Sequence, residues 1–163
     1  MSTIDGGNTN QFLTFTLADE WYAIEVSMIK EVLEYQTITR VPKTPSFMRG
    51  VINVRGGVVP VVDLREKFDL PIREPTVDTC IVVLEVSVDN ETIVIGTIAD
   101  VVEEVVEILP ENIEPTPKIG TRLDTEFIEG IGKMNEKFII ILDIDKIFTT
   151  EEIHQVTERA GGE

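Results

Sequence analysis

Residues 46–68 read SFMRGVINVRGGVVPVVDLREKF, and the fold follows from this stretch and its second copy later in the chain. Two apolar runs, 50–54 and 58–64, flank Arg55-Gly56-Gly57. Strand-sized runs on either side of a glycine-bearing turn predict a hairpin, with Gly56 and Gly57 supplying positive φ without a Cβ clash. Shifted forward by 80 positions without a gap, residues 47–68 fall on 127–148, FIEGIGKMNEKFIIILDIDKIF. Phe47 meets Phe127, Gly50 meets Gly130, Asp63 meets Asp143 and Phe68 meets Phe148. Between these identities apolar falls on apolar: Val51 on Ile131, Val59 on Ile139, Val61 on Ile141, Leu64 on Ile144. The second copy therefore predicts a second hairpin, 130–134 with 138–144, turning at Asn135-Glu136-Lys137.

The repeat extends toward the N-terminus. FLTFTL at 12–17 resembles IVVLEV at 81–86, and residues 22–33 resemble the run around 95–106. The offset grows from about 69 to about 73 and then to 80, as loops of unequal length produce. Each half opens with a hairpin, 12–17 with 21–26 and 80–86 with 92–98, whose turns are Ala18-Asp19-Glu20 and Asp89-Asn90-Glu91. A short helical turn or extended crossover follows near 27–33 and 99–106. Pro42, Pro45, Pro110, Pro115 and Pro117 mark connecting loops, where helix is disfavoured. Four or five short strands per half cannot bury their apolar faces as an open sheet, so each half is predicted to close into a small barrel. Pro60 sits inside a strand pattern and places that stretch at an edge or a bulge. Residues 150–159 read as a C-terminal helix, with Thr150 as N-cap and acids in the first turn.

Composition sets the class. The 163-residue chain is 42% hydrophobic, enough for a core without disulfides or a structural metal. Cys80 is the only cysteine, so no internal bridge can form, which fits a reducing cytoplasm. Residues 1–10 lack a signal peptide's apolar run, and no stretch approaches the roughly 18 apolar residues of a membrane helix. A soluble cytoplasmic protein is expected. The net charge of −16 opposes binding to nucleic acid or to anionic membrane. Seven of the 14 Lys and Arg residues lie between Arg40 and Arg73, while 74–114 holds eleven acids and no Lys or Arg. A relatively basic face and an acidic face suit protein partners.

Reactive chemistry is sparse. His154 is the only histidine, on the predicted C-terminal helix, and Cys80 opens a strand, so a nucleophile–histidine site needs both to converge. A zinc site wants about four N or S ligands. Asp143 and Asp145 alternate along a predicted strand and share a face, a pattern open to Mg²⁺ binding or acid–base work. Asp63, the repeat partner of Asp143, points instead to a structural role at a strand end. No EF-hand, Walker or Rossmann loop is present. Binding remains. Ile29, Val32 and Leu33, with Val101, Val102 and Val105, recur at helical spacing; most are expected to pack between the halves, and an exposed subset to offer an apolar trough for a partner helix. Glu31 and Arg55 are expected at its rim.

Residues 46–68 closely resemble the signature of the chemotaxis coupling family CheW. Its GV.N.RG..(I/V)P(I/V).DL run is matched by Gly50, Val51, Asn53, Arg55, Gly56, Pro60, Asp63 and Leu64. Val54 replaces the commoner leucine of that run, a conservative change. The likeness extends from Phe12 to Phe148, through EWYAIEVSMIKEVLEYQTITRVP and IGTIADVVEEVVEI. The resemblance implies an all-β fold of two intertwined, five-stranded SH3-like barrels in a single domain over 10–150. The barrels are expected at about 12–70 and 79–149, with strand exchange across the boundary left open. A C-terminal helix over 150–160 and a flexible N-terminus over 1–9 complete the expectation. It further implies a non-enzymatic adaptor, without cofactor or metal, joining methyl-accepting chemoreceptor tips to the regulatory domain of the histidine kinase CheA. Such an adaptor works in the cytoplasm beside membrane receptor arrays. The receptor-binding surface implied is Arg55 with Asn53, Ile29, Glu31, Val32 and Val102; the kinase-binding region implied is Ile38, Val41 and Phe47. A coupler in another kinase pathway, or a two-barrel ligand- or peptide-binding module, is the alternative.

Overall fold

The computed structural model describes residues 10–88, 90–115 and 127–161. The expected N-terminal tail, the turn residue Asp89 and Pro117 lie outside them. The strands are β1 Gln11–Leu17, β2 Glu20–Glu25, β3 Ile29–Glu34, β4 Met48–Val54, β5 Gly57–Val62, β6 Cys80–Val88, β7 Glu91–Ala99, β8 Val101–Glu107, β9 Ile113–Glu114, β10 Ile128–Met134 and β11 Lys137–Leu142. The helices are α1 Leu64–Lys67, α2 Ile144–Ile147 and α3 Thr150–Gly161. The all-β expectation holds, in two curled sheets.

Each sheet takes strands from both sequence halves. One has the order β8-β1-β2-β11-β10-β9 and the other β3-β6-β7-β5-β4. The first hairpin of each half has left its own half for the other: β1–β2 sits with β8–β11, and β6–β7 sits with β3–β5. Two equivalent parallel contacts seal the exchange, Ile140–Tyr22 and Ile141–Ala23 in one sheet, Val61–Gly96 and Val62–Thr97 in the other. The sheets therefore do not coincide with residues 12–70 and 79–149. The β3–β7 sheet has the expected five strands, and the other has six because β9 pairs with Ile131 and Gly132. The counterpart of β9 in the repeat is the single bridge between Thr39 and Val51.

Several local expectations change. The crossovers are extended: a 3-10 turn at Val26–Met28 leads into β3, and β8 follows β7 after Asp100 alone. The helical spacing of Ile29, Val32 and Leu33 therefore carries no meaning. In β3 the side chains alternate, Ile29, Glu31 and Leu33 half-buried and Lys30, Val32 and Glu34 exposed. The hairpin turns have two residues, so Glu20, Gly57, Glu91 and Lys137 belong to strands. Positive φ falls at Arg55 and Gly56 rather than at both glycines. Pro60 lies on a central strand, yet the β5–β7 ladder begins only at Val61, beyond the missing N–H. The one-turn helices α1 and α2 occupy equivalent places after β5 and β11.

Three apolar clusters hold the structure. Small ones fill the curl of each sheet: Phe12, Ala23, Ile108, Ile139 and Ile141 in one; Ile52, Val59, Val61, Ile81 and Ile98 in the other. The large cluster takes side chains from both sheets and both halves, among them Phe15, Tyr22, Ile24, Phe47, Leu64, Phe68, Leu84, Ile95, Leu142 and Ile147. Its aromatic rings cross the repeat, Phe47 lying 5.2 Å from Phe148 and Phe68 lying 6.0 Å from Phe127. Lys67 Nζ sits 5.1, 5.8 and 5.5 Å from the centroids of Phe47, Phe127 and Phe148, and 2.7 Å from Glu152 of α3. Although α3 follows the β8–β11 sheet, it packs on β4 and β5 of the other and buries Ile153 and Val156.

Candidate functional site

The β4–β5 hairpin ends in a two-residue turn of the same kind as Ala18-Asp19 and Asn135-Glu136. Both central residues have positive φ, Arg55 at 50° and Gly56 at 87°, a type I′ geometry in which asparagine or glycine is favoured at the first position. Its repeat counterpart is Asn135, with φ of 48°. An arginine there carries steric strain of about 1–2 kcal/mol. The turn is braced by Asn53 Oδ1, which accepts from the Gly56 backbone N–H at 3.1 Å. The Arg55 side chain is 69% exposed, and its guanidinium donates to Glu31 Oε2 on β3. Strands β3 and β4 stand at opposite ends of the sheet order, so this pair bridges a sheet curled far enough to bring its two edges together.

The implied receptor residues are thus partly assembled. Arg55, Asn53 and Glu31 meet at the hairpin tip. Val32 is 42% exposed but alternates to the face opposite Glu31. Ile29, and Val102 on β8 of the other sheet, are half-buried against the same central core. Of the implied kinase residues, Ile38 packs half-buried on the cluster inside the β3–β7 sheet and Val41 on the central core. Phe47 is only 5% exposed, its ring against Phe148, so its side chain is not on a surface a partner meets. Arg40 and Lys43, exposed on either side of Val41, were not singled out by sequence.

A buried ionic network was also missed. Asp63, fully buried, caps α1 by accepting from the Arg65 backbone N–H at 3.0 Å. It also accepts from Arg65 Nε and Nη2 and from Arg49 Nε, each at 2.9 Å. Arg65 Nη1 donates at 2.8 Å to Asp100, at the β7–β8 junction, and Asp100 Oδ2 accepts from the Ala18 N–H at 2.7 Å. Burial alone would raise the Asp63 carboxyl; the guanidinium bonds and charges of Arg65 and then Arg49 outweigh it and hold it below the usual range. The network ties α1 of one sheet to the first turn of the other. A cleft of about 250 Å³ lies beside it, lined by Arg49, Arg65 and Arg73, whose guanidinium groups are engaged by Asp63, Asp100 and Asp19. The sequence points to a structural Asp63 at a strand end, but its partners are signalled only by Arg65 facing Asp145 in the repeat.

The chemical candidates separate. Asp143 and Asp145 do not alternate along a strand, because α2 begins at Ile144. Asp143 lies 3.9 Å from Lys146, and Asp145 accepts from the Ser87 N–H at 3.1 Å. Burial, then the charges of Glu34 and Asp78, push the Cys80 thiol up, away from thiolate. Among the described residues no cluster of three or more His, Cys, Asp or Glu could hold a metal, and no helix is long and apolar enough to cross a membrane.

The profile of CheW-like domains matches residues 11–152. The chemotaxis protein CheW of Klebsiella aerogenes is 36% identical over 143 residues, spanning 88% of this chain and 84% of that one. CheW of Thermotoga maritima is 31% identical over 154 residues, spanning 93% and 92%. The crystal structure of the scaffolding protein TtCheW from Thermoanaerobacter tengcongensis superimposes with a TM-score of 0.79 at 33% identity, covering 93% of this chain and 96% of that one. With the exchanged sheets and the Arg55 hairpin, these matches establish that the chain belongs to the CheW family of chemotaxis coupling proteins.

Proposed function

We propose that this chain is a non-catalytic adaptor that couples chemoreceptors to the histidine kinase CheA on the cytoplasmic side of the membrane. The observation that carries this reading is the Arg55 hairpin. An exposed arginine at a hairpin tip, its turn braced by Asn53 and its guanidinium oriented by Glu31, favours a recognition role. Receptor binding is assigned to Arg55, Asn53 and Glu31 at the hairpin tip, with Ile29 on the same face of β3 as Glu31, and with Val32 and Val102 as separate apolar contacts. Kinase binding is assigned to the loop around Ile38 and Val41, with Arg40 and Lys43 as added polar contacts and Phe47 supporting the loop from within the core. The coupling is positional: two docking surfaces on one body joined by a shared core and the Asp63–Arg65–Asp100 network hold receptor and kinase in a set relation, so receptor changes bias the kinase's active population.

Arg55→Glu is the test. Reversing the charge is expected to lower affinity for a receptor cytoplasmic fragment at least tenfold, with kinase binding unchanged and the unfolding midpoint lowered only slightly by loss of the Glu31 pair. Equal co-sedimentation of the variant and the native protein with receptor overturns the assignment.

A further inference from the structure

In a chain of net charge −16, cations with no carboxylate within ion-pair distance stand out. Lys30, Arg49, Arg55, Arg65, Lys67, Arg73 and Lys146 each have a carboxylate within ion-pair distance. Among the described residues, Arg40, Lys43, Lys133 and Lys137 do not. The first two flank the loop already assigned to the kinase. The other two sit on the β10–β11 hairpin, which that reading leaves unused.

The same hairpin carries the most exposed aromatic side chain among the described residues, Phe138, at 63%. Phe138 stands directly opposite Lys133 in the strand register, so the ring and the ammonium share a face. Lys137, one residue before Phe138, alternates to the opposite face, where its Nζ lies 4.0 Å from the centroid of the Trp21 ring. Glu20, on neighbouring β2, is engaged by the Tyr22 hydroxyl at 2.8 Å. The repeat makes the position more telling. Phe138 is the counterpart of Val58, which is 56% exposed beside Arg55, so both hairpins hold out an apolar side chain at the same place. An exposed aromatic ring with a cation beside it on the same face has the make-up of an interface anchor with a polar rim.

We propose that the tip of the β10–β11 hairpin is a second protein-docking surface, fitted to an acidic segment that carries an apolar side chain. The segment's apolar group covers Phe138 and a carboxylate beside it meets Lys133. Charge favours a peptide over an anionic bilayer. A short segment meets Lys133 within the roughly 8 Å over which charges act at physiological salt, whereas an extended anionic plane faces the molecule's whole negative charge.

The test uses the full chain and a fluorescent acidic peptide, Asp and Glu residues around a central Leu-Phe pair, titrated by anisotropy. Saturable binding is expected, weakened about tenfold each by Phe138→Ser, by Lys133→Glu and by raised salt, and unchanged by Arg55→Glu. Since Phe138 and Lys133 are exposed, circular dichroism should show the native fold in both variants. No saturable binding, or equal binding by the Phe138 and Lys133 variants, overturns the proposal. So does loss of binding in Arg55→Glu, or Phe138-dependent binding to phosphatidylglycerol vesicles in place of the peptide. Because Arg55 belongs to the other hairpin, failure here is distinct from failure of the adaptor reading.

Discussion

The glycine identities of the repeat are explained by the crossing chain segments they admit. At Gly50, with φ of 146°, a Cβ would lie 2.1 Å from the Thr39 carbonyl oxygen; at Gly130 it would lie 2.6 Å from Ile113 Cγ2. Both sites are where an extra segment, the Thr39 bridge or β9, pairs with the edge of a sheet. Gly50→Ala is expected to destabilise the protein by about 2–4 kcal/mol, through backbone strain and overpacking together, as read by urea unfolding. The charges diverge where the glycines agree. Arg49, Asp63 and Arg65 have Glu129, Asp143 and Asp145 as counterparts, so one half holds a neutralised cluster and the other a repulsive one. Glu129 is exposed, but partial desolvation against the sheet, then the charges of Glu25 and Asp143, push its carboxyl up, Lys146 offsetting part. A raised folded pKa gives a contribution present below the unfolded value, about 4.3, and lost as pH rises through the folded value. Glu129→Gln should therefore raise the urea midpoint slightly at pH 7 and leave it unchanged near pH 4. A loss of stability at pH 7 would contradict this.

At the scale of elements, α3 is the clearest case of local chemistry with a long-range result. Thr149 Oγ1 accepts from the Glu152 N–H at 3.0 Å, and Glu152 Oε1 accepts from the Thr149 N–H at 2.9 Å. This reciprocal capping box makes Thr149 the N-cap, one residue before the expected Thr150. Glu152 also holds Lys67, so the cap fixes the helix start and its docking on the opposite sheet at once. Thr149→Ala is expected to cost about 1 kcal/mol, with loosened protection of α3 amides in hydrogen exchange. The crossovers teach the reverse lesson. Apolar spacing at 29–33 and 101–105 fits a helix or a strand about equally over so few residues. Pairing with β6 and β1 decided for strand, a choice made by tertiary neighbours rather than by propensity.

Over the whole molecule, the exchange of first hairpins makes the two sheets interdependent. Each lacks two strands without the other half's sequence, and the largest apolar cluster belongs to both. Fragments 10–78 and 79–163 are accordingly expected to give collapsed amide spectra when separate and a native-like spectrum when mixed. A dispersed spectrum from either alone would show that a half folds by itself.

The sequence alone determined the duplication, the hairpins, the scarcity of catalytic groups and the Arg55 motif, because period-2 apolar patterns, turn residues and side-chain types are properties of neighbouring residues. Only the tertiary structure decided which hairpin joins which sheet, that Phe47 is buried, and that Arg65 ties α1 to the first turn. Two similar hairpins fit either sheet about equally well by local pattern. The choice between them rests on contacts between residues far apart in the chain, such as Phe47 with Phe148 and Arg65 with Asp100, whose energies no local window contains.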